Sequence, residues 1–153
     1  MSDAPITPSR PKPQPRDSYR HFSPIDTRWL DNDAYGHINN AVYYNFFDTA
    51  VNRWLIQAGV LNVQHGAVIG LVVETQCHYF APLSFPQPIE AGLRVAHVGR
   101  SSVRYEVGLF AAGAATCAAA GHFVHVYVDR QQRRPVALPA AYLTLLSSIR
   151  SSP

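Results

Sequence analysis

The sequence has little cysteine, little charge and no long hydrophobic run. Its two cysteines, Cys77 and Cys117, are far apart and lack metal-ligand spacing, so we expect reduced, buried thiols rather than a disulfide or a zinc site. No apolar run is long enough to cross a bilayer, and the N-terminus lacks the apolar segment of a secretory signal. These absences predict a cytoplasmic protein with no membrane partner.

Charge is scarce as well. Charged residues make up 15% of the 153 residues, and the formal net charge is +3, which is too small to indicate a nucleic-acid partner by itself. Twelve of the thirteen basic residues are arginine, whose guanidinium binds phosphate through two parallel hydrogen bonds. Scattered, solvated charge is the alternative explanation of these arginines.

Proline is concentrated at one end of the chain. Five of the twelve prolines fall within residues 1–15, and this stretch has no apolar periodicity. We expect a disordered or polyproline-like tail over residues 1–17, followed by one domain over residues 18–150. The length of the chain suits a single ordinary domain.

Hydrophobic periodicity predicts a strand, a helix, four strands and a short last helix, in that order. The first strand covers residues 19–29, and an apolar stripe with helical spacing begins at Ala41 and is ended by Gly59. Alternating residues predict strands as far as Asp129, and Pro139 can begin the last helix. Because one sheet must bury one face, the long apolar helix is its obvious cover. This order predicts an α+β fold whose first two strands need not be neighbours.

The loop of residues 30–40 concentrates polar side chains: Asp31, Asp33, His37, Asn39 and Asn40. It leads into the predicted helix, with Asn39 or Asn40 as the N-cap. Free N–H groups at a helix N-terminus can polarise a carbonyl, and a nearby carboxylate completes a minimal apparatus for acyl transfer. Turn and cap roles for the same residues are the alternative. The spacing matches no metal-ligand pattern, so we expect no metal.

Residues 29–44 resemble the signature of the 4-hydroxybenzoyl-CoA thioesterase-like hot-dog family, in which an acidic loop, Asp-x-x-Gly-His-x-Asn-Asn, leads into the central helix. Residues 98–106 look like the hairpin before the family's fourth strand, and residues 126–136 look like its last strand and exit loop. The resemblance covers residues 18–148. It implies a hot-dog fold, with an antiparallel sheet of five to six strands wrapped around a long central helix.

The resemblance implies an enzyme that hydrolyses an acyl-CoA thioester without a cofactor. Asp33 matches the family's catalytic aspartate, as nucleophile or as general base, and the N–H near Asn40 matches the group that polarises the thioester carbonyl. Gly36 would allow the tight approach to the helix. His37 and Asn39 would orient water or substrate.

Further contacts follow from the same resemblance. Tyr43 would meet the substrate, and His65 and Gly66 would line the acyl pocket of a neighbouring subunit. We expect Asp31 to have a structural turn role. The nucleotide of coenzyme A would lie against the hairpin and the exit loop, where the candidate residues are Arg100, Ser101, Ser102, Arg130, Arg133 and Arg134.

Hot-dog subunits pair edge to edge, so the resemblance also implies a homodimer or a homotetramer with active sites at the subunit interface. An open sheet edge must in any case be paired or covered. Two alternatives stay open: a module that binds acyl-CoA or a small ligand without turnover, and a thioesterase that acts on acyl carrier protein. A carboxylate near an anionic ligand favours an enzyme over a pure binder. A hot-dog hydratase is disfavoured, because its different loop pattern with Asp and His is not found.

Overall fold

A computed structural model describes residues 8–152 and contains one antiparallel sheet. Its strands are β1 (His21–Ile25), β2 (Val68–Tyr79), β3 (Ile89–Val98), β4 (Ser102–Ala111) and β5 (Ala119–Asp129). They lie in the order β1-β3-β4-β5-β2, so the first two strands of the chain form opposite edges of the sheet. The prediction that these strands need not be neighbours is confirmed, and the sheet has five strands.

One helix, α1 (Val42–Gln57), packs against the inner face of the sheet. The residues of its predicted apolar stripe are buried: Tyr43, Phe46, Phe47, Ala50, Val51, Trp54 and Leu55. Gly59 follows the helix with a φ of +79°, a conformation that favours glycine, and ends α1 as predicted. The helix has 16 residues, so the long helix of the prediction makes only about four turns.

A second helix, α2 (Ala140–Ser148), begins after Pro139 as predicted and buries Tyr142 and Leu146. Within the part of the chain that the structure describes, no helix combines the length and the apolar character needed to cross a membrane.

A polar cluster lies in the core between β4, β5 and α2. The hydroxyls of Tyr105 and Tyr127 are 2.7 Å apart, and the rings of Tyr127 and Tyr142 meet edge to face with their centroids 5.1 Å apart. His125 is buried beside the two hydrogen-bonded tyrosines, and this burial lowers the pKa of its imidazole to about 4. The fold therefore holds a neutral histidine in its core.

The N-terminal segment contacts the sheet through residues 14–19. Pro15 forms an isolated bridge with Thr116, and the guanidinium of Arg16 pairs with Glu90 at 2.9 Å. The disorder that we expected for residues 1–17 therefore does not extend to these positions, because the sheet supplies them with partners. Residues 1–7 of that prediction lie outside the described part of the chain.

Strand β2 forms an open edge of the sheet. Three apolar side chains at its centre are exposed by 38, 45 and 61%: Leu71, Val72 and Val73. Val68 pairs with Asp129 at one end of β2, and Tyr79 pairs with Ala119 at the other. We call these two ends of the sheet the Val68 end and the Tyr79 end.

Candidate active site

Asp31 fixes the start of the acidic loop. Its side chain is fully buried, and Oδ1 lies 2.9 Å from Nη2 of Arg28. Its Oδ2 accepts the backbone N–H of Arg28 at 2.8 Å, and its carbonyl accepts the N–H of Asn39 at 2.9 Å. These contacts agree with the structural role expected of Asp31.

Asp33, two residues further on, has no cationic partner within residues 8–152. Its Oδ1 accepts the backbone N–H of Tyr35 at 2.8 Å. The N–H of Gly36 donates to the carbonyl of Asp33 at 3.1 Å, in a turn where Gly36 has a φ of +80°. A residue with a Cβ would adopt this conformation only with strain. The turn thus presents a half-buried carboxylate that is not neutralised by an ion pair.

The segment that leads into α1 leaves the backbone N–H of Asn40 unpaired among the described residues. Oδ1 of Asn39 accepts the N–H of Ala41 at 2.9 Å, and the hydroxyl of Tyr79 donates to the carbonyl of Asn40 at 2.8 Å. No acceptor for the N–H of Asn40 occurs among the described residues. The N-cap position is occupied by Ala41 without a side-chain cap, so the prediction of Asn39 or Asn40 there is wrong. Asn39 instead closes the turn just before the helix.

Asp33 lies between two cavities. The first, which we call the helix cavity, has a volume of about 370 Å³, and its walls include Asp33, His37, Asn40, Tyr43 and Tyr79. The second, which we call the tryptophan cavity, has a volume of about 430 Å³, and its walls include Trp29, Asp33, Gly36, Phe85 and Pro86. A carboxylate shared by two cavities can act on a group whose two substituents lie on either side of it.

The tryptophan cavity is held by contacts between the acidic loop and the segment after β2. The side-chain amide of Asn32 donates to the carbonyl of Phe85 at 3.4 Å and accepts its N–H at 2.9 Å. The hydroxyl of Ser84 donates to the carbonyl of Gly36 at 2.9 Å. The rings of Trp29 and Phe85 meet edge to face, with their centroids 6.2 Å apart. These bonds keep the two walls in register without a ligand.

Two tyrosines of the helix cavity are held in their protonated form. Burial raises the pKa of Tyr43, and burial likewise raises the pKa of Tyr79. The two rings meet edge to face, with their centroids 4.9 Å apart. Both hydroxyls therefore keep their proton at neutral pH, and that of Tyr79 donates it to the carbonyl of Asn40.

Apart from Asn39, which lines neither cavity, the predicted site residues divide into two groups, and the first group meets around the cavities. Asp33, His37, Asn40 and Tyr43 line the helix cavity, and Gly36 lines the tryptophan cavity. Within residues 8–152, no three side chains of His, Cys, Asp or Glu are grouped so that they could hold a metal ion.

The second group lies at the Val68 end of the sheet, a strand's length from Asp33. The N–H of Arg130 donates to the carbonyl of Ala67, directly before β2, and Ser102 begins β4 at the same end. Within one chain, the structure does not bring this group to the carboxylate. The group comprises His65, Gly66, Arg100, Ser101, Ser102, Arg130, Arg133 and Arg134.

Arg130 differs from the other predicted phosphate ligands because its guanidinium is occupied. It donates to three backbone carbonyls, those of Asn62, Val63 and Gly66. Arg100, Arg133 and Arg134 are exposed and have no carboxylate partner within the described residues. The geometry therefore leaves these three free for an anion, whereas Arg130 holds the loop before β2.

Sequence reasoning missed Trp29, Tyr79 and Phe85 as wall residues. Trp29 stands within the acidic-loop signature, so a signal for it was present. Tyr79 and Phe85 come much later in the chain, and nothing in the sequence relates their positions to the loop. Only the folded chain brings them to Asp33.

A helix-covered antiparallel sheet with an acidic loop at the start of its helix is typical of hot-dog thioesterases. The family model described as "Thioesterase-like superfamily" matches residues 27–146, and the chain belongs to this superfamily. No protein of curated function matches the chain.

Solved structures support the same assignment. The PA5185 protein of Pseudomonas aeruginosa is 56% identical, with 92% of this chain and 99% of that chain covered and a TM-score of 0.90. A thioesterase of Thermus thermophilus in complex with coenzyme A and zinc is 26% identical, with 90% and 98% covered and a TM-score of 0.74. A 1,4-dihydroxy-2-naphthoyl-CoA thioesterase of Synechocystis, 18% identical over 82% and 94%, has a TM-score of 0.74 and shares the fold.

Proposed function

We propose that this protein hydrolyses the thioester of an acyl-CoA to a carboxylic acid and coenzyme A, with Asp33 as the catalytic carboxylate. The observation that supports this most strongly is the pairing of two groups at the helix cavity. Asp33 has no ion-pair partner within residues 8–152, and the N–H of Asn40, on the same cavity, has no acceptor there. One group can act on the carbonyl carbon while the other stabilises its oxygen.

The chemical step follows from this arrangement. The carbonyl oxygen accepts the N–H of Asn40 and gains negative charge as the carbon is attacked. In one route a carboxylate oxygen of Asp33 attacks, the C–S bond breaks, coenzyme A leaves as its thiol after protonation, and water hydrolyses the resulting anhydride. In the other route Asp33 takes a proton from a water molecule that attacks directly. Both routes consume one water and yield the same products.

The two cavities suit the two substituents of a thioester. A thioester carbon beside Asp33 has the acyl group on one side and the sulfur with its pantetheine arm on the other. The helix cavity and the tryptophan cavity flank Asp33 in the same way. His37 lies on the helix cavity with an exposed side chain, where it is able to orient water or substrate.

Coenzyme A as the carrier is supported by the free arginines and by one relative. Arg100, Arg133 and Arg134 suit the phosphates of the nucleotide, with Ser101 and Ser102 as hydroxyl donors nearby. The Thermus thermophilus thioesterase, at 26% identity, was solved with coenzyme A bound. Since these residues lie at the Val68 end of the sheet and Asp33 lies near its Tyr79 end, one chain does not assemble the whole site.

A homodimer through β2 would resolve this separation. β2 has 12 residues and spans about 40 Å, and its exposed apolar centre is an unpaired edge. In a two-fold dimer the two β2 strands pair antiparallel, so the Val68 end of one chain lies beside the Tyr79 end of its partner. His65 and Gly66 would then reach the partner's substrate. A homotetramer would join two such dimers and leave this arrangement intact.

The proposal is tested by assaying the purified protein against a panel of acyl-CoA thioesters and against acyl groups on acyl carrier protein, with release of free thiol as the readout. We expect turnover of at least one acyl-CoA at a kcat/KM above that of the carrier-protein substrates. If only acyl groups on acyl carrier protein were hydrolysed, the carrier would be acyl carrier protein and not coenzyme A. Binding of acyl-CoA without thiol release would favour a module without catalysis. Cytoplasmic location is part of the same proposal, since acyl-CoA is made and used there.

A further inference from the structure

The last residue of β2 is hydrogen-bonded to a residue just before α1. The hydroxyl of Tyr79 donates to the carbonyl of Asn40 at 2.8 Å, and its ring packs edge to face on Tyr43. Tyr79 also lines the helix cavity together with Asp33. The proposed mechanism assigns no role to this hydroxyl.

Two different side chains hold the peptide group that joins Asn40 to Ala41. Tyr79 occupies its carbonyl, and the side chain of Asn39 occupies the N–H of Ala41 in the same peptide group. That peptide is therefore fixed at both its oxygen and its nitrogen. The preceding peptide carries the N–H of Asn40 and is joined to the fixed peptide through the Cα of Asn40, and its carbonyl accepts the N–H of Val42 at 3.0 Å. Its N–H is left without an acceptor among the described residues.

We propose that Tyr79 is a positioning residue for the hydrolysis proposed above: its hydroxyl holds the carbonyl of Asn40 so that the N–H of Asn40 points at the oxygen of the reacting thioester. The inference rests on the proposed function, because it concerns the donor that stabilises the developing oxyanion. Tyr79 does not itself donate to the substrate, since its proton is committed to Asn40.

The chemistry of the side chain suits this role. Burial raises the pKa of Tyr79, so the phenol stays protonated and remains a donor throughout the working pH range. The contact with Tyr43 fixes the ring, and a fixed ring fixes the direction of the O–H bond. A phenylalanine would keep the ring contact and lose the bond to Asn40, together with the contact of the hydroxyl with the Cys77 thiol.

The expected size of the effect follows from the precision that an oxyanion donor requires. Removing such a donor lowers kcat by roughly 100- to 1000-fold in serine proteases, and loosening one costs less than removing it. We therefore expect Tyr79→Phe to lower kcat by about 10-fold. The KM should change by less than about twofold, because the bond acts on the transition state rather than on ground-state binding.

The test measures kcat and KM of Tyr79→Phe with the best acyl-CoA of the panel. Tyr44→Phe is the matched control, since Tyr44 lies half-buried on α1 and its hydroxyl has no hydrogen-bond partner in the described residues. Its kinetic constants should equal those of the unchanged protein. A kcat of Tyr79→Phe within twofold of the unchanged protein overturns the role of Tyr79, while activity of the unchanged protein leaves the proposed function intact.

A second variant keeps the inference testable if Tyr79→Phe also lowers stability. Asn39→Ala removes the other anchor of the same peptide. Because both anchors hold one donor, the double variant should lose less activity than the product of the two single losses. Multiplicative losses would mean that the two side chains act independently, and would overturn the shared role. If the unchanged protein hydrolyses no thioester at all, the proposed function fails first and separately.

Discussion

Asp31 and Asp33 stand two residues apart in the same loop, yet Asp31 is buried in an ion pair with Arg28 while Asp33 has no cation beside it within residues 8–152. Asp33 begins the turn that includes Gly36, and of the two carboxylates only Asp33 lines the cavities. One carboxylate is therefore used to build the loop and the other is presented to two cavities. The acidic loop owes both its shape and its reactivity to this division.

The ion pair predicts a stability defect without a direct loss of chemistry. Asp31→Asn should lower the free energy of unfolding by about 1–3 kcal/mol, because the charge-assisted bonds to Arg28 are lost at a buried position. Urea unfolding followed by circular dichroism measures this change. Arg28→Ala should also be destabilising, since it leaves the fully buried Asp31 carboxylate without its cation. Equal stability of Asp31→Asn and the unchanged protein would contradict the structural role.

Because β2 is an open edge of the sheet, we expect a charge introduced there to abolish both dimer formation and activity. Val73→Asp introduces a charge at the most exposed of the three apolar edge residues, where a partner strand would bury it. We expect a folded monomer in size-exclusion chromatography with light scattering, with thiol release reduced in parallel. Leu143→Asp, at an exposed apolar position on α2, should remain a dimer. A fully active monomer would mean that the partner subunit contributes nothing to the active site.

The free arginines predict a binding defect. Arg100→Ala should raise the KM for acyl-CoA by about 10-fold and leave kcat unchanged, as expected for loss of one exposed charge-assisted contact to phosphate. The inhibition constant of free coenzyme A should rise by the same factor. Arg20→Ala, exposed just before β1 at the opposite edge of the sheet, is the control. An unchanged inhibition constant for Arg100→Ala would exclude this residue from the nucleotide site.

His125 predicts a loss of stability in acid. Its folded-state pKa of about 4 lies below the ordinary value of 6.5, so between pH 6.5 and 4 the unfolded chain binds a proton that the folded chain excludes. The free energy of unfolding should therefore be highest above pH 6.5 and should fall by up to about 1.4 kcal/mol per pH unit across this window. Urea unfolding at several pH values measures the slope.

His125→Gln serves as the comparison for that experiment. Glutamine does not titrate, so the free energy of unfolding of the variant should depend less on pH between pH 6.5 and 4 than that of the unchanged protein. Identical slopes for the two proteins would mean that other groups cause the acid sensitivity.

Local patterns predicted the elements, because helix and strand periodicity depends on neighbouring residues. The apolar stripe of α1 and its end at Gly59 follow from spacing and from one φ angle. Contacts between distant segments could not be predicted from such patterns. The sheet partners of Pro15 and Arg16, the bond from Tyr79 to Asn40 and the occupied guanidinium of Arg130 each depend on how remote segments meet.

The candidate site likewise could be predicted only in part. The acidic loop could be recognised from its residues, but the difference between Asp31 and Asp33 depends on where the Arg28 side chain points. The N-cap was misassigned because Asn39 bonds to Ala41 before the helix begins rather than within its first turn. The distance of the free arginines from Asp33 became visible only once the strand order was known.

Thiol release by Asp33→Asn under single-turnover conditions tests the catalytic role of Asp33. We expect the rate to fall by roughly 100- to 10,000-fold, with the affinity for coenzyme A retained, because the amide neither attacks the thioester nor accepts a proton from water. Asp26→Asn, an exposed carboxylate before the acidic loop, should react at the unchanged rate. A rate for Asp33→Asn within a few fold of the unchanged protein would contradict Asp33 as the catalytic carboxylate.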